Sequence, residues 1–347
     1  MTASDSPGAA TKTLHLGFIG CGGNARGHMR RLGQLEGVQI VAVCDVQPAL
    51  AEQAASQTGG QPYTDFRRLL DHGGLDAVYL SIPVFAHGDP EMAAVERGLP
   101  MFVEKPVAID MGTAAQIDAA VARAGLLTCV GYQLRYCGST DIARECLDAP
   151  EAGPIGIATG TYWCGTGRAQ PDHWRTRMAQ SGGQLVEQAT HTIDMLRYLV
   201  GDVAEVYAFY GRQILTTGPG DCPDAYAVAL RFTSGAVGTL SATWAIDPAD
   251  WSLANLVDLA YGDRRLHWRT SGVILSPPSD SHQGPLTRQD TSIDEVFVNA
   301  VRRADPSAIR SPYADAVKSL AVSLAANESA RTGSPVKLPL SPGSGGA

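Results

Sequence analysis

The chain has little that would place it in a membrane, in a secretory route or on a nucleic acid. No stretch comes near the roughly 20 consecutive apolar residues that a membrane helix needs, and Met1–Lys12 is small and polar, without the apolar core of a secretory leader. Basic residues are short: 27 Lys and Arg stand against 35 Asp and Glu, a formal net charge of −8. A general binder of phosphate backbones needs the opposite balance, so nucleic acid is excluded as a partner. There is no C-x-x-C pair, and the seven cysteines (Cys21, Cys44, Cys129, Cys137, Cys146, Cys164 and Cys222) are odd in number. That argues against a disulfide framework or a zinc knuckle. Cys44 and Cys129 sit inside apolar runs, where a thiol behaves as a small hydrophobe. A reducing cytoplasm is the simplest compartment. What remains is an ordinary globular mix, 44% apolar and 18% charged, over 347 residues. At roughly 100–200 residues per domain, that length suggests about two domains. Glycine is abundant at 38 residues, and the positions of those glycines become the useful question.

Through residue 131, short apolar runs alternate with helical patterns. Leu14–Gly20, Val38–Asp45, Ala77–Ile82, Met101–Val103 and Leu126–Gly131 read as strands; Ala25–Leu35, Pro48–Gln57, Pro90–Arg97 and Asp110–Ala124 read as helices. Strands separated by helices imply a parallel sheet built from βαβ units. Beyond residue 131 the β-prone runs lengthen: Ile155–Cys164, Val203–Ile214, Ala225–Phe232, Ala236–Trp244 and Leu253–Tyr261, with a hairpin turn at Phe232–Ala236. Thr190–Val200 and Ala314–Arg331 read as helices that stop at Gly201 and Gly333. The expected class is α/β in the first half and α+β, with a large and mostly antiparallel sheet, in the second. Residues 1–12 and 338–347 are expected to be disordered tails.

The first strand runs into Gly20-Cys21-Gly22-Gly23-Asn24-Ala25, a G-x-G-x-x-A turn that opens a helix. Gly20 permits the tight turn, Gly22 lets a pyrophosphate approach the backbone, and Ala25 lets the helix pack closely on the strand. The helix N-terminus then offers free N–H groups to the phosphates. Asp45 ends the next strand, 20 residues beyond Ala25. That acid can accept hydrogen bonds from a ribose 2′-OH and repels a 2′-phosphate, which favours NAD over NADP. The plain alternative is a simple turn and a surface acid.

Two further segments carry chemistry. Glu104-Lys105-Pro106 follows a strand, where ligands of open parallel sheets sit beyond the carboxyl ends. Lys105 there can orient a hydroxyl or take part in proton transfer, or else be a solvated strand end. In Ser181–Asp194, spacings of four and then three residues place Glu187, His191 and Asp194 on one face of a helix entered through Gly182-Gly183. Histidine exchanges protons near neutral pH, and a carboxylate four residues away can orient it. The alternative is a polar helix face with a hydrogen-bonded histidine. Two carboxylates and one histidine lack a further strong ligand, so no metal is expected.

Together these motifs resemble the Gfo/Idh/MocA oxidoreductases (glucose-fructose oxidoreductase, inositol dehydrogenase and relatives). The resemblance spans about residues 13–337 and is carried by GFIGCGGNARGH (17–28), VAVCD (41–45), IPVFAH (82–87), VEKP (103–106), VGYQLRY (130–136), SGGQLVEQATHTID (181–194) and ESARTGSPVKL (328–338). It implies a Rossmann domain over 13–131, a substrate-binding and oligomerisation domain with an open mixed sheet over 132–311, and a terminal helix and strand over 312–337 that pack back toward the first domain. It implies NAD held by Gly20, Gly22, Gly23, Asn24, Ala25, Asp45, Ile82, Pro83, His87, Glu104 and Lys105. It also implies reversible hydride transfer between a sugar or polyol carbinol and the nicotinamide, with Lys105, His191 and Glu187 as catalytic residues, and a homodimer or homotetramer formed through the second sheet. The common G-G-G-x-x-x-D-x-G-x-H segment departs here at Ser181, Glu187 and Ala189, so Glu187 stands where an aspartate is usual. Arg135, Trp174, Arg175, Glu187, Asp194 and His191 join Lys105 as substrate-side candidates. Two rival functions stand beside a dehydrogenase. One is a redox-neutral glycosidase or lyase that works through a transient keto-sugar. The other is a non-catalytic dinucleotide sensor, a reading weakened by the presence of both Lys105 and His191.

Overall fold

The computed structural model describes residues 13–277 and 284–339. The tail expected over 1–12 lies outside the described residues, as does 340–347. The second tail does not begin at 338, because the Leu338 N–H donates to Ala204 O at 2.9 Å. Strands β1 (Leu14–Ile19), β2 (Val38–Cys44), β3 (Gln61–Tyr63), β4 (Ala77–Leu80), β5 (Met101–Val103) and β6 (Thr128–Val130) form a six-stranded sheet in the order β3-β2-β1-β4-β5-β6. Every pairing in it is parallel. Helices α1 (Gly23–Leu32), α2 (Pro48–Thr58), α3 (Phe66–Leu70), α4 (Asp89–Glu96) and α5 (Met111–Ala124) connect these strands. The strand order reverses between β1 and β4, and that switch point opens the crevice in which open α/β sheets bind ligands.

The second half contains α6 (Gly138–Asp148), β7 (Ile155–Trp163), three one-turn helices α7 (Thr166–Ala169), α8 (Met178–Ser181) and α9 (Gln184–Glu187), and the longer α10 (Thr190–Val200). Strands β8 (Val203–Gly211), β9 (Ala225–Phe232), β10 (Val237–Thr243), β11 (Leu256–Tyr261), β12 (Arg264–Arg269) and β13 (Gly272–Ser276) follow. Then come α11 (Ile293–Arg303), α12 (Tyr313–Thr332) and the short β14 (Val336–Lys337). The eight-stranded sheet runs β13-β12-β11-β7-β10-β9-β8-β14. Only β7–β10 is a parallel pair among the described strands. Strict alternation along β9 buries Tyr226, Val228, Leu230 and Phe232 and leaves the other face open. The open face carries Ile157, Phe209, Val237 and Ile274, all strongly exposed. Among the described residues no helix is long and apolar enough to cross a membrane, and all seven cysteines are free.

Two late elements complete the first half. Phe18, Tyr79 and Phe102 stack across β1, β4 and β5 at 4.6 and 4.7 Å between ring centroids, and Phe297 of α11 meets both Tyr79 and Phe102 edge-on. Helix α11 is therefore part of the first core, although the expected 132–311 boundary places it in the second domain. Helix α12 bridges both halves. Tyr313, Ala316 and Leu320 join the first core, while Val322, Ala325 and Ala326 join the second. The strand expected to pack back toward the first domain pairs with β8 of the second sheet instead.

Candidate active site

The turn after β1 is bare backbone by necessity and by opportunity. Gly20 sits at φ +92°, and a Cβ there would lie 2.1 Å from Ser81 O, so no side chain fits. A Cβ on Gly22 or Gly23 would meet nothing within 4 Å, so the space in front of the α1 N-terminus is open. Asn24 is exposed at the rim, and Ala25 is buried against the sheet. Asp45 is already oriented: its carboxylate accepts the Cys21 N–H and the Gln47 N–H, both at 2.9 Å. Ile82 and Pro83 lie half-buried after β4. His87 is buried, with Nδ1 at 2.6 Å from Glu91 Oε1 and with Nε2 lacking any partner. An open glycine cradle at a helix N-terminus, an oriented acid at the end of β2 and an orphaned buried imidazole nitrogen fit a bound dinucleotide.

Glu104 departs from its expected cofactor role. It is turned into the protein, 2.8 Å from His28 Nε2, and its second oxygen accepts the Lys105 N–H at 3.0 Å. Lys105 reaches the other way, its Nζ donating to Glu187 O at 2.8 Å. His191 is buried near it, edge-on to Tyr132 at 6.2 Å, with Nδ1 unpartnered. Burial, and then the Lys105 charge, hold the imidazole well below its ordinary pKa, so it is neutral and keeps a lone pair at pH 7. Tyr132 is pinned in turn by a 2.9 Å contact with the Thr190 hydroxyl.

The single helix face expected for Glu187, His191 and Asp194 does not form. The helix breaks at Gln188–Ala189, between α9 and α10, so Glu187 belongs to a separate turn, while His191 and Asp194 keep their i, i+3 spacing within α10. Entry to α9 runs through Gly182 (φ +69°) and Gly183 (φ +76°), where a Cβ on Gly183 would lie 2.8 Å from the Tyr226 hydroxyl. The Glu187 carboxylate is spent elsewhere than on His191: it accepts from Arg175 Nε at 2.9 Å and from Gln188 Nε2 at 2.6 Å. Gln188 is held in its turn by the Tyr162 hydroxyl at 2.7 Å. Arg175 lies over the Trp174 ring at 4.8 Å, and Trp174 meets the exposed Phe85 edge-on at 5.7 Å. Lys105, His191, Glu187, Arg175 and Trp174 thus form one neighbourhood.

Asp194 and Arg135 do not belong to it. Arg135 donates to both Asp194 oxygens, at 2.8 and 2.6 Å, and to Asp315 of α12 at 2.5 Å. Ser319 adds a 2.7 Å bond to Asp194. With their side chains 3% and 1% exposed, neither residue is left free to meet a substrate; they join α10 to α12. Residues that sequence reading missed include Gln188 and Tyr162, which hold Glu187, and Tyr132, which faces His191. His28 behind Glu104 was also missed. Its signal was present, since it shares the buried face of α1 with Ala25, Met29 and Leu32.

Comparison with known proteins agrees with this geometry. The profile described as "Oxidoreductase family, NAD-binding Rossmann fold" matches residues 14–132, and the GFO/IDH/MocA C-terminal domain matches 141–256, together more than half of the chain. The scyllo-inositol 2-dehydrogenase (NAD(+)) of Bacillus subtilis is 30% identical over 214 residues, 60% of each chain. The levoglucosan dehydrogenase of Pseudarthrobacter phenanthrenivorans is 29% identical over 226 residues, 58% of each. The chain therefore spans about 60% of the length of these curated relatives. Among solved structures, levoglucosan dehydrogenase with NADH and levoglucosan has the same fold at a TM-score of 0.82 and 22% identity, over 94% of this chain and 100% of that one. The WlbA dehydrogenase from Bordetella pertussis, in complex with NADH and UDP-GlcNAcA, gives 0.81 and 22%, over 95% of this chain and 100% of that one. On the two domain matches, borne out by the sheet order and the glycine turn, the chain belongs to the Gfo/Idh/MocA oxidoreductase family and begins with its NAD-binding Rossmann domain.

Proposed function

We propose that the protein is a dehydrogenase that reversibly oxidises a carbinol of a sugar, sugar derivative or inositol, with NAD preferred over NADP. The observation that carries this reading is the convergence of the Lys105 ammonium and a neutral, buried His191 at the carboxyl end of the same parallel sheet whose β1 opens into the bare cradle at Gly22 and Gly23. NAD, when bound, supplies the hydride acceptor. Gly20, Gly22, Gly23, Asn24 and Ala25 hold its pyrophosphate, and Asp45 accepts from the ribose and repels a 2′-phosphate. Ile82, Pro83 and His87 line the same crevice. His191 takes the hydroxyl proton as general base, which its depressed basicity allows because the neutral form persists through pH 7. Lys105 donates a hydrogen bond to the same oxygen and stabilises its developing charge. Arg175 and Trp174 offer a guanidinium and an aromatic face to the substrate, and Glu187 supports Arg175. Free thiols throughout fit a reducing cytoplasm, and a second copy of the chain fits the open face of the eight-stranded sheet.

The test is a screen of NAD and NADP against inositols, levoglucosan, sugars and sugar acids, followed by NADH absorbance. His191→Ala and Lys105→Met should each lower kcat by about 10²–10⁴-fold while NADH binding, followed by fluorescence, is retained. Near-wild-type turnover in both variants would overturn the assignment. Cleavage of a glycoside without net NADH would establish the redox-neutral alternative instead.

A further inference from the structure

His28 lies outside the substrate neighbourhood, yet both of its ring nitrogens are engaged by buried carboxylates. It stands on α1, the helix whose N-terminus faces the glycine cradle, and its ring leans at a tilt against the stacked pair Tyr79 (5.7 Å) and Phe102 (4.8 Å). Nε2 lies 2.8 Å from Glu104 Oε1 and Nδ1 lies 2.5 Å from Asp294 Oδ1. The three side chains are 7%, 9% and 0% exposed. A neutral imidazole has one donor and one lone pair, so two facing carboxylates require protons on both nitrogens. Arg31 closes the other side of Asp294, with Nε at 2.6 Å from Oδ2 and NH2 at 2.9 Å from His28 Nδ1. The shorter contact on Nδ1 is the carboxylate, which accepts the Nδ1–H; Arg31 NH2 can only donate and therefore makes no hydrogen bond to the ring, Arg31 bonding Asp294 through Nε instead. Burial lowers the histidine pKa, but hydrogen bonds donated to Asp294 and Glu104, with their negative charges, outweigh it and raise the value to about 9. The same contacts hold both carboxyls below their usual range.

The far end of this bridge is the catalytic turn. Glu104 follows β5, its N–H donates to Leu80 O, and its Oε2 accepts the Lys105 N–H. Its carboxylate is also walled by Gly131, where a Cβ would lie 2.8 Å from Oε2. With one oxygen on His28 and the other on the Lys105 amide, Glu104 has no freedom to reorient. We infer that His28 is a positioning residue for the chemistry at Lys105: by bridging Glu104 to Asp294 from the cofactor-facing helix, it fixes the Glu104–Lys105 turn relative to the glycine cradle. Helix α11, distant in sequence, supplies the anchor through Asp294. The inference rests on the reading of Lys105 given above.

A double-mutant cycle tests it, using the fastest substrate of the screen. His28→Ala should lower kcat about 10- to 100-fold, the cost of a reacting group misplaced by about an ångström, with the NAD KM changed less than about threefold. In the Lys105→Met background the same substitution should cost less than about threefold, because the group through which it acts is gone. Amide exchange followed by mass spectrometry should speed up at the Lys105 N–H and stay unchanged in β2 and α2. The inference is overturned if the full kcat loss persists in Lys105→Met, if the loss lies wholly in the NAD KM, or if the Lys105 amide remains protected. If His28→Ala does not fold, Glu104→Gln carries the same cycle, since it keeps the size and removes the anion that His28 grips. Lys105→Met at wild-type turnover would overturn the reading of Lys105 by itself, and the amide exchange would still report whether His28 holds the turn.

Discussion

Glu187 shows how one methylene can redirect a side chain. The family's usual aspartate at this position, spaced four residues before the histidine, suggests an acid that orients His191 or touches the substrate. Here the longer glutamate reaches Arg175, and both of its oxygens are occupied by Arg175 and Gln188. Its backbone carbonyl, not its carboxylate, receives the Lys105 ammonium. On the proposed reading of Arg175 as a substrate-side residue, the carboxylate serves binding through Arg175 more than proton transfer. Glu187→Asp should lose the 2.9 Å contact to Arg175 and release the guanidinium from its place over Trp174. We expect a rise of about tenfold in substrate KM, with kcat within about threefold, because that contact acts alike on ground state and transition state. Arg175→Ala should give the same pattern, and the double variant should be no worse than the worse single, since both remove one interaction. Steady-state kinetics on the three variants decides it. A kcat loss of about 100-fold in Glu187→Asp with unchanged KM would return Glu187 to the proton-transfer machinery.

At the scale of elements, legibility followed periodicity and failed where tertiary contacts override it. Five strands of the first sheet and helix α10 were readable within a few residues, because buried runs such as Leu14–Ile19 and the stop at Gly201 are local signals, whereas the short, largely exposed β3 was not read. Helix α11 was not read, although Ser292 caps it and Glu295 follows at the capping spacing. Its apolar residues face the Phe18–Tyr79–Phe102 stack, more than 150 residues away in sequence, a partnership no local pattern reveals. The break between α9 and α10 was hidden for the opposite reason: Glu187, His191 and Asp194 keep a helical spacing through a segment that is not one helix. Within the site, Lys105 and His191 were legible from motif and chemistry, whereas the distribution of partners was not. Asp194 illustrates this. Its spacing pointed to the substrate, but the structure gives it to Arg135, Ser319 and the α10–α12 joint. Asp194→Asn leaves the partly exposed Asp315 as the carboxylate against the buried Arg135 guanidinium, beside the neutral Arg310 carbonyl. Breaking a buried pair of this kind costs about 3–5 kcal/mol, so urea unfolding should show a loss of that order. Substrate KM should stay unchanged; a raised KM at unaltered stability would show that Asp194 meets the substrate after all.

At the scale of the whole molecule, the open face of the second sheet is the feature the single chain does not explain. Register places Ile157 beside Val237 and Thr159 beside Thr239, and Ala227 and Ala229 continue the same face toward Phe209 and Tyr207. These are small or β-branched residues flanked by aromatics, with the Asp258–Arg265–His267 cluster beside Thr159 and the Arg231–Glu205 pair beside Val237. Seven substantial strands at about 4.8 Å spacing and roughly 25 Å length give a face of roughly 800 Å², which is about the area each partner buries in a stable interface. The opposite face already packs on α10 and α12, and the open one is left uncovered by the described residues. A second copy is the simplest cover, because an isologous pair sets like strands against like and needs no other component. A protomer is 36.5 kDa, so light scattering at micromolar concentration should return at least twice that mass. Ile157→Glu with Val237→Glu places four carboxylates near the centre of such an interface. That should return the mass to one protomer while the Rossmann half still binds NADH, because no cofactor residue lies on this sheet. A wild-type protein that scatters as a single chain would leave the face to another partner and remove the self-association assigned to it.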